Sequence, residues 1–461
     1  MRDWAEREFE GLELGDKRRS ERVIKVTRAL AGRPGHTIPQ ACRSWADTEG
    51  AYRLFENEHV PSDVILREHF RHTVGRAAEE QFVGVYADGS DLDFSGLTAT
   101  KGLGHLSNRN ARGLDFFAVL VANPAGQPLG LIDAKIWARD VATMGKTKDR
   151  QKKPTSEKES QFWLDGLAHA QQQLPDDLPF VYVADSEADL FDLFAAPRRE
   201  GAHLLVRTGH QHRVEHPEHL LEAAVRSTEP SGSFVVLVGR GGNRKGERKA
   251  TLTVRFKRLW LLAPEHGNDR RARKVEFYAV LAEEESPPNG ERAVHWLLMT
   301  TLPVTSFDEA RQRTEQYAKR WLIERFFYTL KSGCKVEELQ LASADQLIRA
   351  ASLFSIVAWR LLWLMHESRK DPHQPCTAFI SEHEWKALYA FHYPTMKLPP
   401  KPPTLREAIR LIARLGGFLA RKGDGEPGIK TIWLGFAELE RLARLYRSIA
   451  TNPRLCPPEA I

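Results

Sequence analysis

Cysteine is scarce in this chain. Four residues in 461, Cys42, Cys334, Cys376 and Cys456, are scattered without a CxxC pair, which argues against a disulfide framework or a zinc knuckle. No basic-then-apolar segment opens the sequence. Its start, MRDWAEREFEGLELGDKRR, is of mixed charge, and a cytosolic protein is expected. Uninterrupted apolar runs are also missing: residues 347–365 carry Arg349 and Arg360 and are broken by Ser352 and Ser355, so a core helix is expected there and no membrane partner. Net charge is small, 67 Lys plus Arg against 61 Asp plus Glu giving +6, and there is no tandem repeat.

What the chain has is length for several domains and an uneven charge distribution. Residues 239–274 hold twelve Lys or Arg against three acids, a local +9 that suits a phosphate backbone. Residues 1–75 read as short helices in which Lys17, Arg18, Arg19, Arg22, Lys25 and Arg28 recur at helical spacing, a face able to follow a DNA duplex. From Phe82 the pattern becomes strands: FVGVYAD, a turn at Gly89 and Ser90, LDFS, FFAVLVA and LGLIDAKIWA. A helix over 162–174, strand FVYVAD, a helix from near Glu187 and strand HLLVR follow, which together predict an α/β layer with a mixed sheet. Short strands after Arg207 (SFVVLVG, ATLTVRF, EFYAVLAE) predict a second, inserted β unit carrying the basic segment. Beyond about 372 the chain reads as helical around a KLPPKPP linker.

Residues 317–331, YAKRWLIERFFYTLK, place Tyr317, Arg320, Glu324 and Lys331 within about 60° of one another on a single helix, opposite Leu322, Ile323, Phe326 and Leu330. A carboxylate between an Arg and a Lys, beside a phenol, suits a metal ligand flanked by phosphate contacts. Asp88 and Asp185 each end an expected strand, and Glu324 on the helix completes a three-carboxylate set. Clustered acids repel one another unless cations neutralise them, and oxygen donors select Mg²⁺, with Mn²⁺ as a substitute. Asp91, Asp93, Glu187 and Asp189 are neighbouring alternatives. The stretch GHQHRVEHPEH, with His210, His212, His216 and His219, has no Cys and no regular spacing, and is read as a polar loop.

These residues resemble the bacterial DDE transposases of the IS-four type, particularly the Tn-five branch, over nearly the whole chain. The Y-x2-R-x3-E-x6-K signature is met at Tyr317, Arg320, Glu324 and Lys331; VYADGSDLDFS and VADSEADLF resemble the segments carrying the first two acids. LGDKRRSERVIKV and WADTEGAYRLFENEHV resemble the amino-terminal module that binds transposon ends, EKESQFWL and Arg207 in LLVRTGH resemble core segments, and RLIARLGGFLARKGDGEPGIKTIWLGF resembles the dimerisation region. Trp296 in VHWLLMTT stands where relatives stack a tryptophan near a flipped base, although a Trp in an apolar strand is also a core residue. The chain departs from relatives at Phe327 and Tyr328, where a His and a basic residue are common, and at Gly89 and Ser90, where a threonine pair is common.

The resemblance implies a ribonuclease-H-like core over 76–371 with a β insertion at about 208–295, an end-binding module at 1–75 and a helical dimerisation domain at 372–461. It implies a cut-and-paste enzyme in which Asp88, Asp185 and Glu324 hold the metals, with DNA contacts from Tyr317, Arg320, Lys331, Trp296, Arg207, Lys17, Arg18 and Arg19. Terminal-repeat and target duplexes and a homodimer are the implied partners. A catalytically silent DNA-binding regulator, a metal-dependent nuclease without strand transfer and a two-carboxylate glycoside hydrolase are the alternatives, the last leaving the basic segment without a role.

Overall fold

The computed structural model describes residues 4–42, 44–108, 110–143, 154–239, 247–264 and 274–452. It opens with five helices: α1 (Trp4–Glu8), α2 (Lys17–Gly32), α3 (Ile38–Ala41), α4 (Trp45–Glu56) and α5 (Ser62–Ala77). Helix α2 starts where the Asp16 side chain accepts the Arg18 backbone N–H, and it buries Val23, Val26, Thr27 and Leu30, one helical stripe. Its bases lie on the outer side of that stripe.

The strands are β1 (Val83–Asp93), β2 (Gly104–His105), β3 (Arg112–Ala122), β4 (Pro128–Trp137), β5 (Phe180–Ala184), β6 (Ala202–Arg207), β7 (Gly232–Gly239), β8 (Glu247–Leu262), β9 (Lys274–Glu283) and β10 (His295–Thr300). All ten form one mixed sheet in the order β2-β3-β1-β5-β6-β10-β9-β8-β7, with β4 on β3. Strands β1, β5 and β6 run parallel and the remaining pairs are antiparallel. Alternate side chains divide between two cores. Tyr86, Leu92, Ala118, Val183 and Leu205 belong to one; Val85, Val119, Tyr182 and Val206 belong to the other, with Trp163 and Leu167 of α6 (Gln161–Gln173) and Phe194 of α7 (Phe191–Ala195). Burial on both faces explains why FFAVLVA reads as a continuous apolar run.

Two strand expectations change. No turn forms at Gly89 and Ser90: β1 continues for eleven residues because β3 pairs with it from Gly84↔Ala122 to Asp93↔Gly113. The expected second, inserted β unit is continuous with the sheet, because β8 and β7 extend outward from β9, which pairs with β10. The helix expected from Glu187 is a short 3-10 turn at Ser186–Ala188 followed by α7. Between β6 and β7 lies α8 (Leu221–Arg226).

The first core is closed by α9 (Phe307–Ala318), α10 (Trp321–Tyr328) and the long α11 (Ala344–Lys370). By length and composition α11 could cross a membrane, but 83% of its apolar window is buried inside the protein, packed against α5, β4 and the helices at both ends. Helices α12 (Glu382–His392), α13 (Leu405–Leu415) and α14 (Ile429–Thr451) finish the chain. Capping boxes at Ser381/Glu384 and Thr404/Glu407 start α12 and α13, each worth about 1 kcal/mol.

Candidate active site

The alternation that builds the first core also carries polar residues to one face. Two positions beyond Tyr86, Val183 and Leu205 stand Asp88, Asp185 and Arg207, and two before Leu298 stands Trp296, which packs on the same core. Asp88 lies inside β1 and not at its end, paired with Ala118, but the parallel ladder with β5 stops at Tyr86. Asp185 directly follows β5, as expected, and its side chain accepts the Glu187 backbone N–H at 2.9 Å.

Glu324 comes from α10, which is seated on this face by Phe326 and Phe327, both edge-on to Phe116 of β3 at ring distances of 6.2 and 5.5 Å. Burying each ring contributes about 2 kcal/mol. Leu322, Ile323, Phe326 and Leu330 are all buried, as their spacing required. Phe327, one of the departures from relatives, is a core residue, and Tyr328 packs on Trp433 of α14 at 5.5 Å.

The expected single helix over 317–331 is instead three pieces. Helix α9 ends at Ala318, α10 begins after Arg320, and a π-turn occupies Thr329–Gly333. The four signature side chains therefore do not share one exposed face. Tyr317 is buried, edge-on to Trp296 at 5.7 Å, and Lys331, on the π-turn, reaches Glu337 at 3.7 Å.

Arg320 is the centre of the assembly. Its Nη1 donates to Asp88 Oδ2 at 3.1 Å, its Nη2 donates to Glu324 Oε1, and its guanidinium lies 5.9 Å from the Tyr317 ring centre. The arginine is 92% buried as a residue, being 8% exposed, and its Nε has no partner. Burial pushes the Asp88 carboxyl up to about 7; Arg320 opposes that, and the nearby charges of Asp185 and Glu324 add to it. The phenol of Tyr317 is raised by burial as well. Asp88 thus feels the charges of Asp185 and Glu324, and one guanidinium holds Asp88 and Glu324.

Arg207 and Trp296 line a cavity of about 360 Å³ with Thr208, Arg292 and His295. Arg207 donates weakly to Ser186 Oγ at 3.4 Å, and its buried Nε is unpartnered. Lys17, Arg18 and Arg19 remain in the amino-terminal module. Lys17 and Arg18 are exposed, pairing with Glu21 and Asp16, whereas Arg19 donates to the Leu14 carbonyl at 3.0 Å. Within the basic segment Arg248, Arg255 and Arg258 pair with Glu284, Glu283 and Glu276; Arg240, Arg244, Lys245, Arg270, Arg271 and Arg273 lie outside the described residues. His212 is held by Asp189 at 2.6 Å, which also fastens Thr208 and Gly209, so this Asp is a structural clamp.

One cluster was visible in the sequence only in part, through Asp91 and Glu187. On the opposite face Asp91 and Asp115 are cross-strand partners, and Arg139 joins Asp115 at 2.8 Å to Glu159 at 2.6 Å. Burial pushes the Asp115 carboxyl to about 8, and Glu187 is raised by burial and by Asp185 and Asp91. An Asp inside the run GLDFFAVLVA was the available signal.

Three carboxylates are hard oxygen donors of the kind Mg²⁺ and Mn²⁺ take, and a cation, the Arg320 guanidinium, already rests on two of them. The donor set fits a divalent cation in kind. Among the described residues, however, no three His, Cys, Asp or Glu side chains stand close enough to hold a metal ion as they are.

Residues 1–60 match the family model for transposase DNA-binding, and residues 356–451 match that of the Tn5 transposase dimerisation domain. The chain is a Tn5-like transposase. The transposase carries its DNA-binding match on α1 to α4 and its dimerisation match from within α11 through α14. The two matched ends meet: Arg33 after α2 donates to Glu440 of α14 at 2.6 Å, both side chains 12% exposed.

Proposed function

We propose that this transposase hydrolyses a phosphodiester at each transposon end, freeing a 3′-hydroxyl, and that the hydroxyl then attacks target DNA in line. The observation that carries the proposal is the sharing of Arg320 by Asp88 and Glu324, with Asp185 on the same face and within electrostatic reach. In this reading the core between the matched ends is ribonuclease-H-like, and Asp88, Asp185 and Glu324 hold the divalent cations. Bound there, Mg²⁺ or Mn²⁺ supplies the Lewis acidity that phosphodiester chemistry needs at neutral pH.

The chain's own residues do the remaining work. Arg320 and Lys331 neutralise backbone phosphates, and guanidinium geometry suits two phosphate oxygens at once. Tyr317, packed on Trp296, fixes the wall against which the cleaved end lies. The cavity beside Trp296 and Arg207 accepts an unstacked base, with the indole as a stacking surface. Exposed Lys17 and Arg18 follow the terminal repeat, with Arg19 bracing them from the Leu14 carbonyl, and α14 joins two copies so that both ends are held in one complex.

The test is cleavage of a labelled duplex bearing the element's terminal repeat, with Mg²⁺, by wild type and Glu324→Gln. Cleavage falling by about a thousandfold or more while end binding stays within about twofold supports the carboxylate mechanism. Binding without cleavage by either protein makes the chain a DNA-binding regulator, and absence of both overturns the reading.

A further inference from the structure

We infer that Arg320 is a stand-in cation: without DNA its guanidinium occupies Asp88 and Glu324, and a backbone phosphate must draw it away before a divalent cation can be held by the three acids. This rests on the carboxylate reading above and adds a coupling between DNA and metal at that site.

Three carboxylates stand on one face, and among the described residues the buried cation bonded to them is Arg320, through a separate nitrogen to each of two acids. A divalent ion arriving while the guanidinium stays would compete for those oxygens and repel it at close range in a partly desolvated site, which is costly. The arginine is not fully satisfied where it stands. Its Nε makes no hydrogen bond, and the Asp88 and Glu324 side chains retain 16% and 36% exposure, so the pair opens toward solvent. A backbone phosphate presents two non-bridging oxygens, so the guanidinium can exchange its single bonds to two acids for two bonds to one phosphate.

Reciprocity follows. If a phosphate that takes Arg320 strengthens metal binding, the metal strengthens DNA binding by the same factor. The protein without DNA is thereby kept from assembling a loaded nuclease centre, and this restraint comes from one side chain.

The experiment titrates Mn²⁺ into full-length protein at pH 8 by calorimetry, without DNA and with terminal-repeat duplex. Wild type, Arg320→Gln, Arg320→Lys, Asp88→Asn and the double variant Asp88→Asn with Arg320→Gln are compared, with thermal melts to establish that each is folded. Without DNA, Arg320→Gln should bind Mn²⁺ about tenfold more tightly than wild type, Arg320→Lys should fall between, and the duplex should tighten Mn²⁺ about fivefold or more for wild type but not for Arg320→Gln. The Asp88→Asn double variant should lose the gain. If folded Arg320→Gln and Arg320→Lys bind Mn²⁺ no better than wild type while Asp88→Asn still weakens binding, the stand-in role is wrong and the carboxylate site survives. If Asp88→Asn changes nothing in either background, the carboxylate reading falls with it.

Discussion

Glu8 illustrates how a single side chain secures the amino-terminal module to the core. It accepts from Arg76 at 2.9 Å and from His69 Nδ1 at 2.5 Å, and His69 Nε2 accepts the Leu131 backbone N–H at 3.0 Å, which fixes the neutral tautomer. Arg76 also lies 4.3 Å over the Trp359 ring. Burial alone would raise the Glu8 carboxyl, but Arg76 and His69 hold it at about 2. A carboxyl depressed from its ordinary 4.5 contributes stability that is complete above about 4.5 and lost as pH falls toward 2. Buried His69, also depressed, adds loss in the same direction below its ordinary 6.5. Glu8→Gln should therefore cost about 3 kcal/mol at pH 7, the deficit shrinking between pH 4.5 and 2; urea unfolding across that range measures it. The identity of such residues was not legible beforehand, because Glu8 and His69 stand 61 positions apart and nothing local marks them as partners. Asp185 was legible, since its strand is short and apolar and ends where the Asp begins. Asp88 was legible as a candidate but misplaced, because Gly89 and Ser90 look like a turn until β3 is laid beside them.

Among the elements, strands and amphipathic helices were largely visible in the sequence because burial writes a period of two or 3.6 into it. The break between α9 and α10 was not visible. At the break Tyr317 packs on Trp296 and Arg320 bonds to Asp88, contacts with strands distant in sequence that nothing local announces. The π-turn after α10 is similarly hidden, and it takes Lys331 to Glu337. In the matched dimerisation region, α14 crosses α13 where Gly435 faces Ile412, and a methyl group added at Gly435 would run into the Ile412 carbonyl. Gly435→Ala should therefore separate these helices and cost about 1–3 kcal/mol. The expected readout is a lower melting temperature, with fewer paired-end complexes on native gels than single-end complexes.

For the whole molecule, the decisive fact is one sheet where the sequence suggested two units. The segment at about 208–295 was expected as a second, inserted β unit, and strand lengths alone do not say which strands pair. Because β9 covers one edge of β10, removing 232–283 would leave that edge bare above the cavity at Trp296. Such a deletion variant should aggregate in size-exclusion chromatography and should not behave as a trimmed but intact catalytic core.

The place of β10 also bears on how the chain acquires its shape. Its Thr300 hydroxyl donates to the Leu204 carbonyl, a contact between positions 96 apart. Closing so long a loop costs about 4 kcal/mol of chain entropy beyond the constant part. Hairpins among β7, β8, β9 and β10 require no such closure and form on a microsecond scale, so they precede the pairing of β10 with β6. Joining that preassembled meander to β6 then becomes the slow, late event, and stopped-flow refolding should show a fast phase followed by one limited by this docking.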